Sequence, residues 1–283
     1  MFVIKKTCIL DTLHITCIKI MEPQPQQNNF LTIPLAIVVA GLVIAGAIFF
    51  GGRASVAREN EPADSQPSAV AVALKEVGAN DRIRGNPDAP VLLVEYSDTE
   101  CPFCKTFQKT MQQVMDEYGK DGEIAWVYRH FPLDQIHPKA DKEAEAAECA
   151  GDVGGNIAFW SFLDRIFEVT PANNGLDPAE LPQIAEFVKV DAKAFDACLA
   201  SGKYAEKVEA DYQSGIAAGA SGTPFSVLSL KNAVTKTQEA ALMPTIAQFR
   251  GGIALSQDKT KMTLNGALPF SAIKTILDIV LTP

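Results

Sequence analysis

With 283 residues, the chain is long enough for one large domain or two small ones with a core of ordinary size. Apolar residues at 47% and charged residues at 21% exclude wholesale disorder, and a net charge of −9 argues against non-specific nucleic-acid binding. Six cysteines are too few and too unevenly placed for a disulfide scaffold, and three histidines leave little material for a histidine metal site.

Residues 1–29 read as an N-terminal tail. Its Cys8 and Cys17 match no redox or metal spacing, and Met21 is an alternative start, before MEPQPQQNNF. From Phe30 to Gly52 there is no charge, and Leu35–Phe50 is wholly apolar. About 20 such residues cross a hydrocarbon core of roughly 30 Å, so residues 30–52 are expected to form a transmembrane helix or signal anchor. The other readings are a buried core helix and a cleaved signal peptide, the latter kept open by the small residues Ser55-Val56-Ala57. Lys5, Lys6 and Lys19 before the span, against Arg53 and Arg58 after it, bias the N-terminus toward the cytoplasm. A start at Met21 would remove the lysines and even reverse the bias. Residues 53–80, rich in Ala, Ser, Pro and acids, read as a flexible linker with a short helical stretch near Ala69–Val77.

The folded domain is expected over residues 81–283. Pro90–Asp98 is an apolar run ending in turn formers, the pattern of a buried strand. Cys101-Pro102-Phe103-Cys104 follows at once, and then Phe107, Met111, Val114, Met115 and Tyr118 recur at helical spacing up to Gly119. The motif therefore sits at a strand-to-helix junction with Cys101 at the helix N-terminus. Unpaired N–H groups and partial positive charge there stabilise a thiolate. CxxC thiols titrate anywhere from roughly 3.5 to 7, against about 8.5 for a free cysteine. Pro102 suits an early helical position because its missing N–H is not needed there. Cys104, one turn on, is placed to resolve a mixed disulfide on Cys101. Half a zinc site or two unrelated thiols are the competing readings; the first lacks a second ligand pair in CxxC, CxxH or HxxxH spacing.

Ile124–Phe131 reads as a second strand, and Pro138–Ala150, Ile157–Glu168, Pro178–Val188 and Ala192–Ala200 as helical segments. Another helix carries Tyr204, Val208, Tyr212 and Ile216, before a turn at Gly219–Gly222. Ser221-Gly222-Thr223-Pro224 precedes a strand-like run, Phe225–Leu230, and a proline there suits the first residue of a strand. Thr260–Leu264 is the last strand candidate and Phe270–Leu281 a closing helix. Strand–helix–strand, a helical block, then strand–strand–helix is an α/β plan with an inserted lid.

The blocks EYSDTECPFCKTF, WVYRHFPLDQIHPKA, AAECA, FDACLASGKY, SGTPFSV and NGALPF, in that order, resemble a DsbA-like thiol-disulfide oxidoreductase of the thioredoxin superfamily, of the membrane-anchored bacterial type. The resemblance implies a thioredoxin fold with a helical domain inserted at about 138–220. It implies Cys101 as the exposed nucleophile, Cys104 as resolving thiol, and Thr223–Pro224 as a cis-proline loop facing Cys101 and pairing with extended substrate. It implies no cofactor and no metal. The implied partners are reduced secreted or envelope proteins and a membrane quinone-linked redox partner, with no nucleic acid. Phe103 stands where strongly oxidising members often have His, so a less extreme oxidant is expected. The family also matches Glu95 to a buried acid that takes a proton from the resolving thiol; the alternative is an exposed strand-edge acid. His137 reads as structural, helping to start a helix. Cys149 and Cys198 read as two separate buried thiols or, as the resemblance implies for an oxidising compartment, as a structural disulfide across the insert. About 30 residues, near 231–260, replace the family's short hairpin turn; they read as a tolerated surface insertion or as a contact element beside the site.

The resulting expectation is a membrane-tethered enzyme, single-pass in the cell membrane, with its catalytic domain on the extracytoplasmic side, oxidising cysteine pairs. A reductase or isomerase fed by a membrane electron donor, or a redox-inert peptide-binding module, are the alternatives.

Overall fold

The structure, a computed structural model, describes residues 2–11, 14–23 and 72–282. The expected membrane span at 30–52 and most of the expected linker lie outside the described residues. Among the described residues, no helix is long and apolar enough to cross a membrane. The chain divides into two units, Met1–Ser65 and Gln66–Pro283.

In the first unit, β1 (Phe2–Asp11) and β2 (His14–Pro23) pair as an antiparallel hairpin, in register from Phe2↔Pro23 to Asp11↔His14. Only a tail was expected there. Both segments are rich in Ile and Thr, which suit extended backbone.

The second unit is built on six strands: β3 (Arg82–Gly85), β4 (Val91–Ser97), β5 (Ile124–His130), β6 (Phe225–Leu230), β7 (Ile253–Leu255) and β8 (Lys261–Asn265). Their order is β3-β5-β4-β6-β8-β7. β4 and β5 run parallel, and every other neighbouring pair is antiparallel. The crossover between the parallel pair is α1 (Pro102–Val114), which ends in a π-helical turn at Met115–Gly119. Between β5 and β6 come α2 (Ala140–Val169), α3 (Glu180–Phe187), α4 (Ala192–Ser201) and α5 (Ala205–Ala218). After β6, α6 (Lys236–Gln248) leads into β7, and α7 (Phe270–Leu281) closes the chain. This is a mixed α/β, thioredoxin-like fold.

The central strands are covered on both faces, which explains their continuous apolar runs. One face carries Leu93, Trp126 and Leu228 under α1, α2 and α7; the other carries Val94, Tyr96, Val127 and Val227. The helical stretch expected near Ala69–Val77 is not helical in its described part. Residues 72–78 carry no regular structure, and Val72, Leu74 and Val77 lie against the second face. Three apolar side chains at irregular spacing cover a sheet face without needing a helix. Also on this face, α5 comes so close that a Cβ on Gly215 would meet the Phe131 ring at 2.5 Å.

Other differences from expectation are local. The two helices read at 138–150 and 157–168 are one element with a break at Gly155, where φ is 78° and ψ −177°, a conformation open to glycine. β3 and β7, four and three residues long, were not expected; such short edge strands carry too little alternation to read. The insertion forms a helix, α6, started by a capping box between Thr235 and Gln238.

Candidate active site

β4 delivers the chain to the end of the sheet, and Cys101 caps α1 in extended conformation with Pro102 just inside the helix. Opposite it, the Thr223–Pro224 peptide bond is cis. The Cys101 Sγ lies 3.5 Å from the Thr223 carbonyl oxygen. The Pro224 carbonyl is held from the other side by the Gly266 N–H at 2.9 Å. Cys101, Cys104 and Thr223 thus meet in one place, with both cysteines as free thiols; Cys101, expected to be exposed, is buried, because the Thr223–Pro224 loop and the start of α1 close over its sulfur. Phe103 between them is 65% exposed, so the motif presents an apolar side chain to solvent.

The two thiols have opposite acidities. Cys101 is drawn down to about 6, first by the hydrogen bond from Cys104, then by the Thr223 side chain and the N–H groups of Cys104 and Phe103, while burial opposes. Cys104 is pushed well above the usual thiol range by burial, and further by the negative charges that form on Cys101 and Glu95. Its sulfur accepts the Asp98 N–H at 3.5 Å. Cys101 is therefore the thiolate, and Cys104 keeps its proton until a base removes it.

Glu95 is buried under the motif rather than exposed at a strand edge. Its Oε2 accepts from Trp126 Nε1 at 2.8 Å, and its Oε1 has no hydrogen-bond partner among the described residues. Burial raises it to about 7. Tyr128 and Ser226 face it across the neighbouring strands. A half-satisfied carboxyl beside a buried thiol can exchange a proton with it.

Cys149 on α2 and Cys198 on α4 form a disulfide with Cα atoms 5.8 Å apart. It belongs to the insert rather than to the redox centre. His137 does precede α2, with the Ala140 N–H on its carbonyl. Its ring has a partner that sequence reasoning missed, since Nδ1 lies 2.9 Å from Asp98 Oδ2. His130 gathers with Glu148 and Asp211, whose carboxylates already pair with Arg82 and Lys207. Asp98, Glu100, Glu143 and Trp126 were all missed. The one available signal was the polar run Asp98-Thr99-Glu100, wedged between an apolar strand and the CxxC motif.

A thioredoxin family model matches residues 78–241, more than half the chain, and the chain belongs to that family. Its fold is that of the DsbA-like members of the superfamily. Pseudomonas aeruginosa DsbA2 aligns with TM-score 0.53 and 24% identity over 72% of this chain and 96% of that one. Wolbachia pipientis α-DsbA1 gives 0.55 and 21%, covering 74% and 93%. Bacillus subtilis BdbD gives 0.51 and 21%, covering 63% and 97%. Among curated proteins, the Na(+)/H(+) antiporter NhaA 1 of Salinispora arenicola is 37% identical over 145 residues, 51% of this chain. Its namesake in Mycolicibacterium gilvum is 31% identical over 173 residues, 60% of this chain. The chain matches only 21% and 27% of the length of those relatives.

Proposed function

We propose that the chain is a membrane-tethered extracytoplasmic thiol-disulfide oxidoreductase that oxidises cysteine pairs in secreted or envelope proteins. The observation that carries this reading is the unequal thiol pair, an acidic Cys101 at a helix start beside Thr223 and a buried Cys104 of raised pKa.

In the oxidised state Cys101 and Cys104 share a disulfide. A substrate thiolate attacks Cys101 Sγ, a mixed disulfide forms, and the electron pair of the broken bond leaves on Cys104. Cys104 holds a proton tightly, and Glu95 is the nearby acid suited to supply it. A second thiolate of the substrate then attacks the substrate sulfur of the mixed disulfide and expels Cys101 as thiolate. The substrate gains a disulfide and loses two electrons and two protons; the motif takes the electrons. An acidic leaving group speeds the last step and favours the reduced enzyme, which makes the pair an oxidant. Reoxidation falls to a quinone-linked membrane partner, within reach of a domain anchored by residues 30–52.

The test is the equilibrium potential of the Cys101–Cys104 pair in the full chain against glutathione. A value between about −120 and −200 mV is expected, and a value near −270 mV would instead mark a reductase. Carbonate-resistant membrane association and labelling of Cys101 by an impermeant maleimide in intact cells check the tether and its orientation. Label confined to broken cells would overturn that placement.

A further inference from the structure

Leu93 lies on the sheet face under α1, so Glu95 and Ser97, two and four residues further along β4, point to that same face. Tyr128 and Ser226 stand beside Glu95 on the neighbouring strands. This face carries four buried polar atoms with no hydrogen-bond partner among the described residues: Glu95 Oε1, Ser97 Oγ, the Tyr128 hydroxyl and Ser226 Oγ. Buried polar groups are seldom left unpaired, and these four lie together beneath the redox pair.

Cys104 meets this face from α1. Its sulfur accepts the Asp98 N–H at 3.5 Å, which seats it on the peptide that joins Ser97 to Asp98. Ser97 is therefore the strand residue between Glu95 and the resolving sulfur, whereas Tyr128 and Ser226 stand level with Glu95. Glu95, Ser97 and Cys104 are each at most 1% exposed, so bulk water does not carry a proton between them. Glu95 Oε2 is committed to Trp126 Nε1 at 2.8 Å, so the acid bears its proton on Oε1, the uncommitted oxygen. A hydroxyl is donor and acceptor at once, and Ser97 has no standing bond to break before it acts as both.

We propose that Ser97 is the proton relay of the redox centre, passing a proton between Glu95 and Cys104. This deepens the reading of Cys101 and Cys104 as a disulfide-exchange pair and rests on it. When a substrate thiolate breaks the Cys101–Cys104 bond, the electron pair stays on Cys104. The Ser97 hydroxyl gives its proton to that sulfur and takes the proton of Glu95 Oε1. An O–H bond of the acid breaks, an S–H bond forms, the serine ends as it began, and Glu95 is left as carboxylate. In reoxidation by a disulfide-bearing partner, the Cys101 thiolate attacks the partner, and Cys104 then attacks the mixed disulfide. The electron pair leaves on the partner's thiolate, and the Cys104 proton returns through Ser97 to Glu95. The acidities of the two end groups agree with a hydroxyl between them: burial raises both foremost, and Ser97 opposes it at each.

The test uses the full chain carrying Cys8→Ser and Cys17→Ser, with the Cys149–Cys198 bridge intact and the redox pair reduced. It is mixed with the aromatic disulfide dithiobis-nitrobenzoate. The first thiolate released reports Cys101, and the second reports attack of Cys104 on the mixed disulfide. The ratio of the second rate to the first is expected to fall about 10²-fold in Ser97→Ala, as in Glu95→Gln. The double variant is expected to fall no further, because both changes cut one path. In wild type the second rate is expected to curve against the deuterium fraction of the solvent, because two protons move together; this measurement decides the matter should Ser97→Ala fold poorly. A straight line there, additive losses in the double variant, or a fall in Tyr128→Phe without one in Ser97→Ala would overturn the relay. A wild-type chain that gives no first release would overturn the redox reading instead.

Discussion

The Cys101 sulfur and the Thr223 carbonyl oxygen lie 3.5 Å apart, across 122 residues of sequence. A thiol can donate to that carbonyl, but a thiolate cannot. The thiolate is stabilised instead by the Cys104 S–H, the Thr223 side chain and the N–H groups that begin α1. The local environment therefore separates the two protonation states of a single atom.

That arrangement predicts the alkylation profile. With Cys101 at about 6, roughly 90% is thiolate at pH 7, where a free cysteine at about 8.5 is roughly 3%. Iodoacetamide should modify Cys101 with a midpoint near pH 6 and leave Cys104 unmodified. Cys104→Ala removes the strongest stabiliser of the thiolate, so the midpoint should move up. An unchanged midpoint in that variant would mean that the helix start alone sets the acidity.

Glu95→Gln keeps an acceptor for Trp126 Nε1 and deletes the charge. The folded-state pKa of Glu95, about 7, is above its unfolded value, so the folded state binds the extra proton between about 4.5 and 7. Wild-type stability must fall as pH rises through that window. The Gln variant should lack the fall and be more stable above pH 7, by about 3 kcal/mol at most. Attack of Cys104 on a mixed disulfide should slow by about 10²-fold and lose its rise near pH 7. The same change of unfolding free energy between pH 5 and pH 8 in both proteins, from urea denaturation, would exclude the buried-acid role.

Arg129 is the second test of burial. It lies wholly buried on β5 and donates to both Asp81 oxygens, to the carbonyls of Lys75 and Glu76, and to the Tyr96 hydroxyl. These bonds strap residues 75–81 across the second sheet face. Burial is the largest influence on Asp81 and works against its charge, but the Arg129 bond, the Gly78 N–H and the charges of Arg129 and Lys207 together hold the carboxyl below its usual range. The stability it contributes is present above the unfolded pKa and is lost as pH falls through the folded one. Arg129→Met should cost roughly 3–5 kcal/mol and open residues 72–81 to proteolysis. Wild-type resistance of that segment would show that Val72, Leu74 and Val77 suffice to hold it.

Much of this architecture was legible because its signals are local. Alternating or continuous apolar runs mark β4, β5 and β6, and the spacing from Phe107 to Tyr118 marks α1. The cysteine spacing and the residues before Pro224 mark two sides of one site. What was hidden depends on contacts distant in sequence. Asp98 and Glu100 read as ordinary turn residues until Leu133, His137, Gly175 and Leu176 come to meet them. Glu143 looks like any acid near a helix N-terminus. The strap at 72–81 reads as linker because its apolar residues follow neither a helical nor a strand period. β3 and β7 exist only because β5 and β8 offer them an edge.

The bridge between Cys149 and Cys198 gives the last prediction. It ties α2 to α4 within the insert, across a separation of 49 residues, with Cα atoms 5.8 Å apart. Closing a loop of that length in the unfolded chain is worth about 4 kcal/mol in the chain-entropy model. Cys149→Ala with Cys198→Ala removes both sulfurs and leaves no stray thiol to pair with Cys101. The double variant should lose up to about 4 kcal/mol in denaturant, measured with the Cys101–Cys104 pair reduced in both proteins. Because the groups that set the Cys101 thiolate are Cys104, the Thr223 side chain and the start of α1, its alkylation midpoint should stay near 6. A variant that keeps wild-type stability would show that the insert packs without its bridge. A midpoint that moves would show instead that the bridge reaches the nucleophile, through α2 and the bond from the Thr99 hydroxyl to Glu143 Oε2 on α2.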